Sequence, residues 1–435
     1  TKRMQVVHQG ERLADIPVPY LTDEAPLYTR PMTRPMKPST RASQNAEMQP
    51  HRQETSKDSA NGDVKDRLSI SPITQAKEDY DKSLLCLLGA PNIASKEWIY
   101  RQYDHMVRTN TVILPGADAA VVRIKETRRA LAMCLDGTGR FCAADPREGA
   151  KLTVAEAARN VVCVGARPLA ITNCLNFSSP EHPEVMWAFS EVIDGMAEAC
   201  RAFDVPVVSG NVSFYNETEG RGIWPTPVIG MVGLIEDVRR IIQHGFKAEE
   251  ALIALLGETN DDLSISEYAA SIEGRTGEEM TSAGRVPALD LKRELAVQTA
   301  CLAAIEQGLL LSAHDCSDGG LAVALAESCF SSLNRSSVGA SVLLSGPLSI
   351  AAHLFSESPS RIIISFKESA LNQVEEIARR AHCPLTMLGR TGGEQLRIAV
   401  NGEEIFQLNV NQLEAHWRTS LGRKLQAEIV QAAAE

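Results

Sequence analysis

Hydrophobic and polar positions along the chain repeat with two different periods. Short aliphatic and β-branched runs predict strands, and apolar residues spaced three or four positions apart predict helices. Strands are predicted at residues 119–124, 130–135, 168–172, 205–208, 226–235, 251–257, 309–315 and 361–366. Helices are predicted at residues 95–103, 153–164, 183–199, 291–308, 321–327 and 371–381. Because strands and helices recur through the chain, the pattern predicts an α/β fold (α+β mixed sheets).

The pattern also divides the chain into four segments. Residues 1–29 fit a β-hairpin, which is unstable alone, so they are expected to be the end of a preceding domain missing from this sequence. Residues 30–68 are polar and contain several prolines but hardly any apolar residues, which predicts a disordered linker. Residues 82–237 and 238–435 each carry enough periodic apolar sequence for an α/β domain.

Composition excludes several classes of function. The chain has 435 residues, of which 44% are hydrophobic, and its net charge is -11. This acidic balance argues against nucleic acid and against an anionic membrane surface as partners. The ten cysteines are scattered without a Cys-x-x-Cys pair, which suits a reducing compartment, so a cytoplasmic protein is expected.

One stretch carries candidate ligand chemistry. A predicted buried strand, residues 205–208, ends near Gly210, where a ligand can approach the main chain closely. Oxygen-bearing side chains follow it: Asn211, Ser213, Asn216 and Glu217. Oxygen ligands suit Mg²⁺ bound together with nucleotide phosphates, although a strand followed by a polar turn has the same pattern without any ligand. Glycine-rich acidic turns at residues 136–140 and 145–149 are further candidate loops, although hairpins use such turns more often.

A second candidate lies where the strand at 309–315 meets the helix at 321–327. Ser317 and the following glycines precede the helix N-terminus, an arrangement that binds anions. Asp315 and Asp318 would repel a phosphate unless a cation lay between them. The alternative is a capped core helix, with Ser317 as the cap and His314 satisfied by its own neighbours.

Seven sequence segments share their order and spacing with one known family. They begin at Pro91, Pro115, Val154, Cys174, Ser209, Pro225 and His314, and the fifth reads Ser209-Gly-Asn-Val-Ser-Phe-Tyr-Asn-Glu217. Together they resemble phosphoribosylformylglycinamidine synthase, specifically the small bacterial type of synthetase subunit, PurL. The resemblance covers about residues 84–365, and the first 29 residues resemble the end of the first half of that family.

The resemblance implies a fold and an activity. Members consist of two tandem halves, each an ATP-binding α/β domain followed by a second α/β domain, as in the aminoimidazole ribonucleotide synthetase-like superfamily. Residues 82–237 would be the ATP-binding domain of the second half, and residues 238–435 its second domain. The family uses ATP to convert formylglycinamide ribonucleotide into formylglycinamidine ribonucleotide, with glutamine-derived ammonia, in purine biosynthesis.

The resemblance also implies roles for particular residues and partners. Asn173 and Gly210 would contact ATP, Asn211 would bind Mg²⁺, and Ser213 would contact the substrate. The implied partners are the missing N-terminal half, a glutaminase subunit and a small accessory subunit. The catalytic histidines of the family belong to the missing half, so this half contributes no catalytic residue and is expected to be inactive alone. His314 matches none of those motifs.

Three departures from the family pattern stand out. Asn173 replaces an aspartate that contacts the nucleotide, so the negative charge is lost there. Leu263-Ser-Ile-Ser-Glu-Tyr268 lacks two usual glycines, and Glu357-Ser-Pro359 has proline in place of glutamine. Two other hypotheses stay open: a self-sufficient homodimeric ATP enzyme of the same superfamily, and a non-catalytic binding subunit.

Limited proteolysis tests the linker prediction. We expect the first cuts within residues 30–68, because a polar segment without apolar periodicity has no core to protect it. Mass spectrometry of the early fragments locates the cuts, with the segments at 82–237 and 238–435 as internal controls. Equal resistance of the linker and these segments would contradict the prediction.

Overall fold

The computed structural model describes residues 2–35, 79–332 and 335–432. The predicted linker therefore lies outside the described residues from position 36 onward. The described residues before it include contacts with a helix that begins at Pro183: the Thr33 amide donates to the Pro183 carbonyl at 3.1 Å, and the Arg34 guanidinium lies 5.6 Å from the Trp187 ring centre.

The predicted hairpin is present at the start of the chain. Its strands are β1 (Arg3–His8) and β2 (Glu11–Pro17), paired antiparallel. Gln9 and Gly10 form the turn with φ values of 50° and 85°. Both are positive, as the tight turn that matches the twist of a hairpin requires.

Two helices, α1 (Tyr80–Leu88) and α2 (Glu97–Tyr100), come before the first sheet in the chain but pack against the second body. The first body contains eight strands and three helices. Its strands are β3 (Thr111–Ile113), β4 (Ala120–Arg123), β5 (Ala130–Asp136), β6 (Arg167–Asn176), β7 (Val207–Ser213), β8 (Glu217–Thr218), β9 (Arg221–Gly222) and β10 (Thr226–Ile235). Its helices are α3 (Gly139–Ala144), α4 (Pro146–Cys163) and α5 (Pro183–Phe203). Six strands form a mixed sheet in the order β3-β4-β5-β10-β6-β7, in which only β6 and β7 run parallel; β8 and β9 form a separate hairpin.

The second body is built on a seven-stranded mixed sheet. Its strands are β11 (Leu252–Leu256), β12 (Leu310–Asp315), β13 (Ala340–Leu344), β14 (Ile362–Phe366), β15 (Leu385–Thr391), β16 (Gln395–Val400) and β17 (Glu403–Asn409), in the order β12-β14-β11-β15-β13-β16-β17. Its helices are α6 (Glu267–Ser271), α7 (Gly277–Ala283), α8 (Leu291–Glu306), α9 (Gly320–Cys329), α10 (Ile350–Phe355), α11 (Leu371–Arg380) and α12 (Val410–Ala432). The two mixed sheets confirm the predicted α/β fold.

One helix start was predicted wrongly. The sequence pattern placed a cap at Thr153, but α4 begins at Pro146 and is capped by Asp145, whose carboxylate accepts from the Glu148 amide at 3.1 Å. Thr153 is buried inside the helix and donates to the Gly149 carbonyl. Asp145 before Pro146 is a capping residue followed by proline in the first turn, so the segment predicted as a ligand loop is a helix start.

The helix α4 lies between the two bodies. One side packs with α5 beneath β5, β6 and β10, and the other side contacts α8 and β12 of the second body. Leu152 and Val161 belong to the core of the first sheet, whereas Val162 and Cys163 belong to a core cluster of the second. This helix therefore contributes apolar side chains to both cores.

Buried ion pairs join the two bodies. Arg159 of α4 pairs with Asp315 at 2.6 Å and with Glu294 of α8 at 2.9 Å, and all three side chains are almost fully buried. Arg140 of α3 pairs with Glu267 of α6 at 2.6 Å, also largely buried. Among the described residues, no helix is long and apolar enough to cross a bilayer.

Replacing Arg159 with methionine is expected to lower the free energy of unfolding by about 3–5 kcal/mol, because Asp315 and Glu294 would remain buried without their cation. Urea unfolding of the two proteins measures the difference. Arg147, on the same helix but 42% exposed, provides the matched control. We expect Arg147→Met to change stability by less than about 1 kcal/mol. Equal effects of the two substitutions would contradict the role of Arg159.

Candidate functional site

The four residues predicted to bind ligands lie on two neighbouring strands. Asn173 is on β6, and Gly210, Asn211 and Ser213 are on β7. The strands run parallel, with Asn173 opposite Gly210 and Asn176 opposite Ser213. The structure therefore brings all four positions to one edge of the first sheet.

The strand itself differs from the prediction. Residues 205–208 were expected to be a buried strand ending in a turn, but β7 runs from Val207 to Ser213 and includes Gly210. Val205 is buried, whereas Val207 and Val208 are 48% and 69% exposed. The reason is position: β7 is the outermost strand of the sheet, so one of its sides has no neighbouring strand to cover it.

Asn173 and Gly210 lie against each other on one face of the sheet. A Cβ atom at position 210 would lie only 2.6 Å from Asn173 Oδ1, so glycine is required by this close approach. Alternation along β6 places Asn173 on the same face as the buried Ile171 and Leu175. Within the described part of the chain, the side-chain amide of Asn173 has no hydrogen-bond partner, so this group is available to a ligand.

Asn211 and Ser213 lie on the opposite face. Strand alternation and the register put them beside Cys174 and Asn176 of β6, and Asn211 Nδ2 lies 3.6 Å from Cys174 Sγ. None of the described elements covers this face near β5, as the 76% exposure of Leu135 shows, although its strand lies inside the sheet. The four residues therefore divide between the two faces of one sheet edge.

The other oxygen-bearing side chains of this stretch have structural partners. Asn216 donates to the Phe177 carbonyl at 2.9 Å and to the Ser213 carbonyl at 3.0 Å, which fixes the turn after β7. Glu217 accepts from the Ser178 hydroxyl at 2.6 Å. This hydrogen bond lowers the pKa of Glu217 and keeps the carboxylate charged. Both side chains are therefore held in the turn.

The anion site predicted at the N-terminus of α9 is filled by the protein itself. The amides of Gly319 and Glu267 both donate to Glu357 Oε1 at 2.8 Å, so one carboxylate joins two helix N-termini. Gly319 is the capping residue, and Ser317 makes no side-chain cap. The position predicted for an anion is therefore taken by an internal acidic side chain, that of Glu357.

His314 is satisfied by its own neighbours, as the alternative hypothesis proposed. Its Nδ1 lies 2.9 Å from Asp118 Oδ1, and its Nε2 lies 3.1 Å from Glu327 Oε2. Burial disfavours the charged ring, but the two carboxylates outweigh it and raise the pKa of His314 well above its usual value. His314 thus connects the loop before β4 to α9.

The sequence did not reveal an acidic cluster between the two bodies. Its members are Asp136, Glu156, Asp315, Asp318 and Glu357. Burial raises the pKa of Asp136 to about 7 and that of Glu357 to about 8. Three of these residues, Glu156, Asp318 and Glu357, line a cavity of about 20 Å³, which has room for about one water molecule. The described residues contain no group of three or more acidic, histidine or cysteine side chains arranged to hold a metal.

The open sheet edge is thus the stronger candidate site. Its asparagine and serine side chains present neutral oxygen and nitrogen atoms, which suit hydrogen bonding to a phosphorylated ligand. Arg159 pairs with Asp315, so this carboxylate has a cationic partner within the protein.

Comparisons with known proteins agree with this architecture. The model of the AIR synthase related protein N-terminal domain matches residues 116–235, and that of the C-terminal domain matches residues 247–401. Phosphoribosylformylglycinamidine synthase subunit PurL of Moorella thermoacetica is 45% identical over 418 residues, which are 96% of this chain and 52% of that protein. The chain spans about half the length of the curated relatives it matches.

Solved structures share the fold. T. maritima PurL complexed with FGAR has a TM-score of 0.62 and 19% identity, covering 77% of this chain and 53% of that chain. T. maritima PurL complexed with ATP has a TM-score of 0.56 and 20% identity, covering 69% and 46% of the two chains. The chain therefore belongs to the AIR synthase related family and is a homologue of the phosphoribosylformylglycinamidine synthase subunit PurL over about half of that subunit.

Proposed function

We propose that this chain is the second half of a PurL-type carbon–nitrogen ligase. The enzyme would convert formylglycinamide ribonucleotide into formylglycinamidine ribonucleotide with ATP and glutamine-derived ammonia, in purine biosynthesis. The observation that carries this proposal is the 45% identity to a PurL subunit over 96% of the chain. In this proposal, residues 82–237 would be the ATP-binding domain and residues 238–435 the second domain.

The sheet edge supports specific roles in this reaction. Asn173, whose side-chain amide has no partner among the described residues, would hydrogen-bond the nucleotide. Gly210, which leaves room for the Asn173 side chain, would also contact the nucleotide. Ser213 would contact the substrate on the opposite face. Its hydroxyl lies 3.3 Å from Asn216 Oδ1, and Asn216 is fixed by backbone carbonyls, so Ser213 is held in place.

The side chains at the sheet edge could bind Mg²⁺ only if the phosphate groups of a ligand supplied further coordinating oxygens. Asn211 offers an exposed amide oxygen, and its strand neighbours offer hydroxyl and amide groups but no carboxylate. Mg²⁺ commonly takes few protein ligands and completes its coordination with substrate phosphates and water. When bound, the ion would neutralise charge on the phosphates of ATP, and Asn211 would hold its position.

The chemistry requires more than the residues of this sheet edge contribute. The amide oxygen of the substrate takes the terminal phosphoryl group of ATP, releasing ADP, and ammonia then displaces phosphate at the same carbon with loss of a proton. Cationic groups must surround the transferred phosphoryl group, and a base must accept the proton. At the sheet edge, the described residues Asn173, Gly210, Asn211 and Ser213 supply neither a cation nor a base. The missing half would supply both.

The partners follow from the same proposal. They are the half that precedes this segment in its relatives, a glutaminase subunit and a small accessory subunit. The uncovered face of the first sheet, with Leu135 exposed near its middle, is a suitable surface for the preceding half.

Asn211→Ala tests the metal assignment in the enzyme assembled from both halves. We expect the Mg²⁺ concentration for half-maximal turnover to rise roughly tenfold, because one ligand to a charged group is lost. The melting temperature should hardly change, since Asn211 is exposed. Ser209→Ala, two residues earlier on the same strand, is the control. An unchanged Mg²⁺ requirement would remove Asn211 from the metal site.

Reconstitution tests the division into halves. We expect no ammonia-dependent turnover from this chain alone and measurable turnover when the preceding half is added in trans, because the two would assemble the site jointly. Substrate conversion is followed with and without that half, and with the preceding half alone as control. Turnover by this chain alone near the reconstituted rate would favour a self-sufficient homodimer instead. No turnover under any condition would favour the non-catalytic binding subunit.

A further inference from the structure

The residue beside the candidate metal ligand is a cysteine. Cys174 and Asn211 are direct partners in the parallel register of β6 and β7, with both side chains on the open face of the sheet. Asn211 Nδ2 lies 3.6 Å from Cys174 Sγ, within hydrogen-bonding range for a sulfur acceptor. The contact therefore involves the nitrogen end of the Asn211 amide.

The thiol belongs to a short chain of hydrogen bonds that begins at the backbone. Asn176 Nδ2 donates to the carbonyls of Cys174 at 3.1 Å and Thr226 at 3.2 Å. Its Oδ1 lies 3.8 Å from Cys174 Sγ and accepts a hydrogen bond from the thiol. Asn176 Nδ2 also lies 3.7 Å from the sulfur, but its two carbonyl bonds are shorter. The sulfur thus has Asn176 Oδ1 as an acceptor for its S–H group and itself accepts from Asn211 Nδ2.

An asparagine side chain has a donor end and an acceptor end, and only the acceptor end binds a cation. When Nδ2 donates to Cys174, Oδ1 faces away from the sulfur. Within the described part of the chain, Oδ1 of Asn211 has no hydrogen-bond partner. The amide is therefore held with its oxygen available.

We propose that Cys174 is a positioning residue that orients the Asn211 amide with its oxygen toward the bound cation. This inference rests on the proposed function, because it takes Asn211 as the metal ligand. Cys174 itself does not contact the cation. Its sulfur accepts a weak hydrogen bond, which favours the NH₂ end of the Asn211 amide over the oxygen end. Sulfur is a poor ligand for Mg²⁺.

A double-mutant cycle separates orientation from packing. A carboxylate has two equivalent oxygens, so Asn211→Asp removes any need to select one end of the side chain. We expect Cys174→Ala to weaken metal binding about three- to tenfold when Asn211 is present. In the Asn211→Asp background the same substitution should have no effect. A cysteine that only fills space would weaken binding equally in both backgrounds.

The measurement is Mn²⁺ affinity by electron paramagnetic resonance, in the enzyme assembled from both halves with a non-hydrolysable ATP analogue. Turnover provides a second readout: Cys174→Ala should raise the Mg²⁺ requirement and leave kcat at saturating Mg²⁺ unchanged. Thr172→Ala, on the same strand and face but two residues away, is the matched control. Cys174→Ser keeps a donor and an acceptor, so it should bind Mn²⁺ more tightly than Cys174→Ala.

The outcomes distinguish this inference from the proposed function. If Asn211→Ala lowers Mn²⁺ affinity and Cys174→Ala does not, only the positioning role is wrong. Equal losses from Cys174→Ala in both backgrounds, or weaker binding by Cys174→Ser than by Cys174→Ala, also overturn it. If Asn211→Ala leaves Mn²⁺ affinity unchanged, the metal assignment fails and the positioning role fails with it.

Discussion

The arrangement of the two sheets depends on one buried arginine. Arg159 leaves α4 on the side that faces the second body and pairs with Asp315 and Glu294. Burying charges costs several kcal/mol per ion, and only well-formed pairing offsets that cost. Gln298 and Ser360 donate further hydrogen bonds to Glu294, so both of its oxygens are used. A shift of α4 against β12 would leave a charge unpaired, and the geometry therefore specifies how the bodies fit together.

This constraint shows what the sequence can and cannot predict. The periodic segments at residues 130–135, 183–199 and 371–381 became β5, α5 and α11, because local burial decides their structure. The pairing of Arg159 with Asp315 joins residues 156 positions apart, and no local pattern encodes it. The same applies to Glu357 at the N-terminus of α9. Glycines and a helix start predict an anion site, but not that an acidic side chain from a distant loop occupies it.

The four candidate residues stay a prediction from the sequence, whereas their arrangement is known only from the structure. Asn173, Gly210, Asn211 and Ser213 do meet at one place, yet in two parallel strands rather than in a turn. The alternation of polar and apolar residues does not reveal the extent of β7 from the sequence. Both faces of an edge strand can be solvated, so polar residues need not alternate with apolar ones. The contact of Asn173 with Gly210 depends on the register between β6 and β7, which the sequence of either strand alone does not contain.

The division of the four residues between two faces bears on how such a site is completed. A ligand that contacts both Asn173 and Asn211 must pass around the free side of β7, since the strand itself separates the two side chains. The α4–α5 layer covers the Asn173 face, but none of the described elements covers the open face near Leu135. Electrostatic stabilisation of a transferring phosphoryl group is effective in a site from which water is excluded. A site at this edge would therefore need a second wall on the open face. Under the proposed function, the polypeptide that accounts for the other half of the relatives' length would supply it.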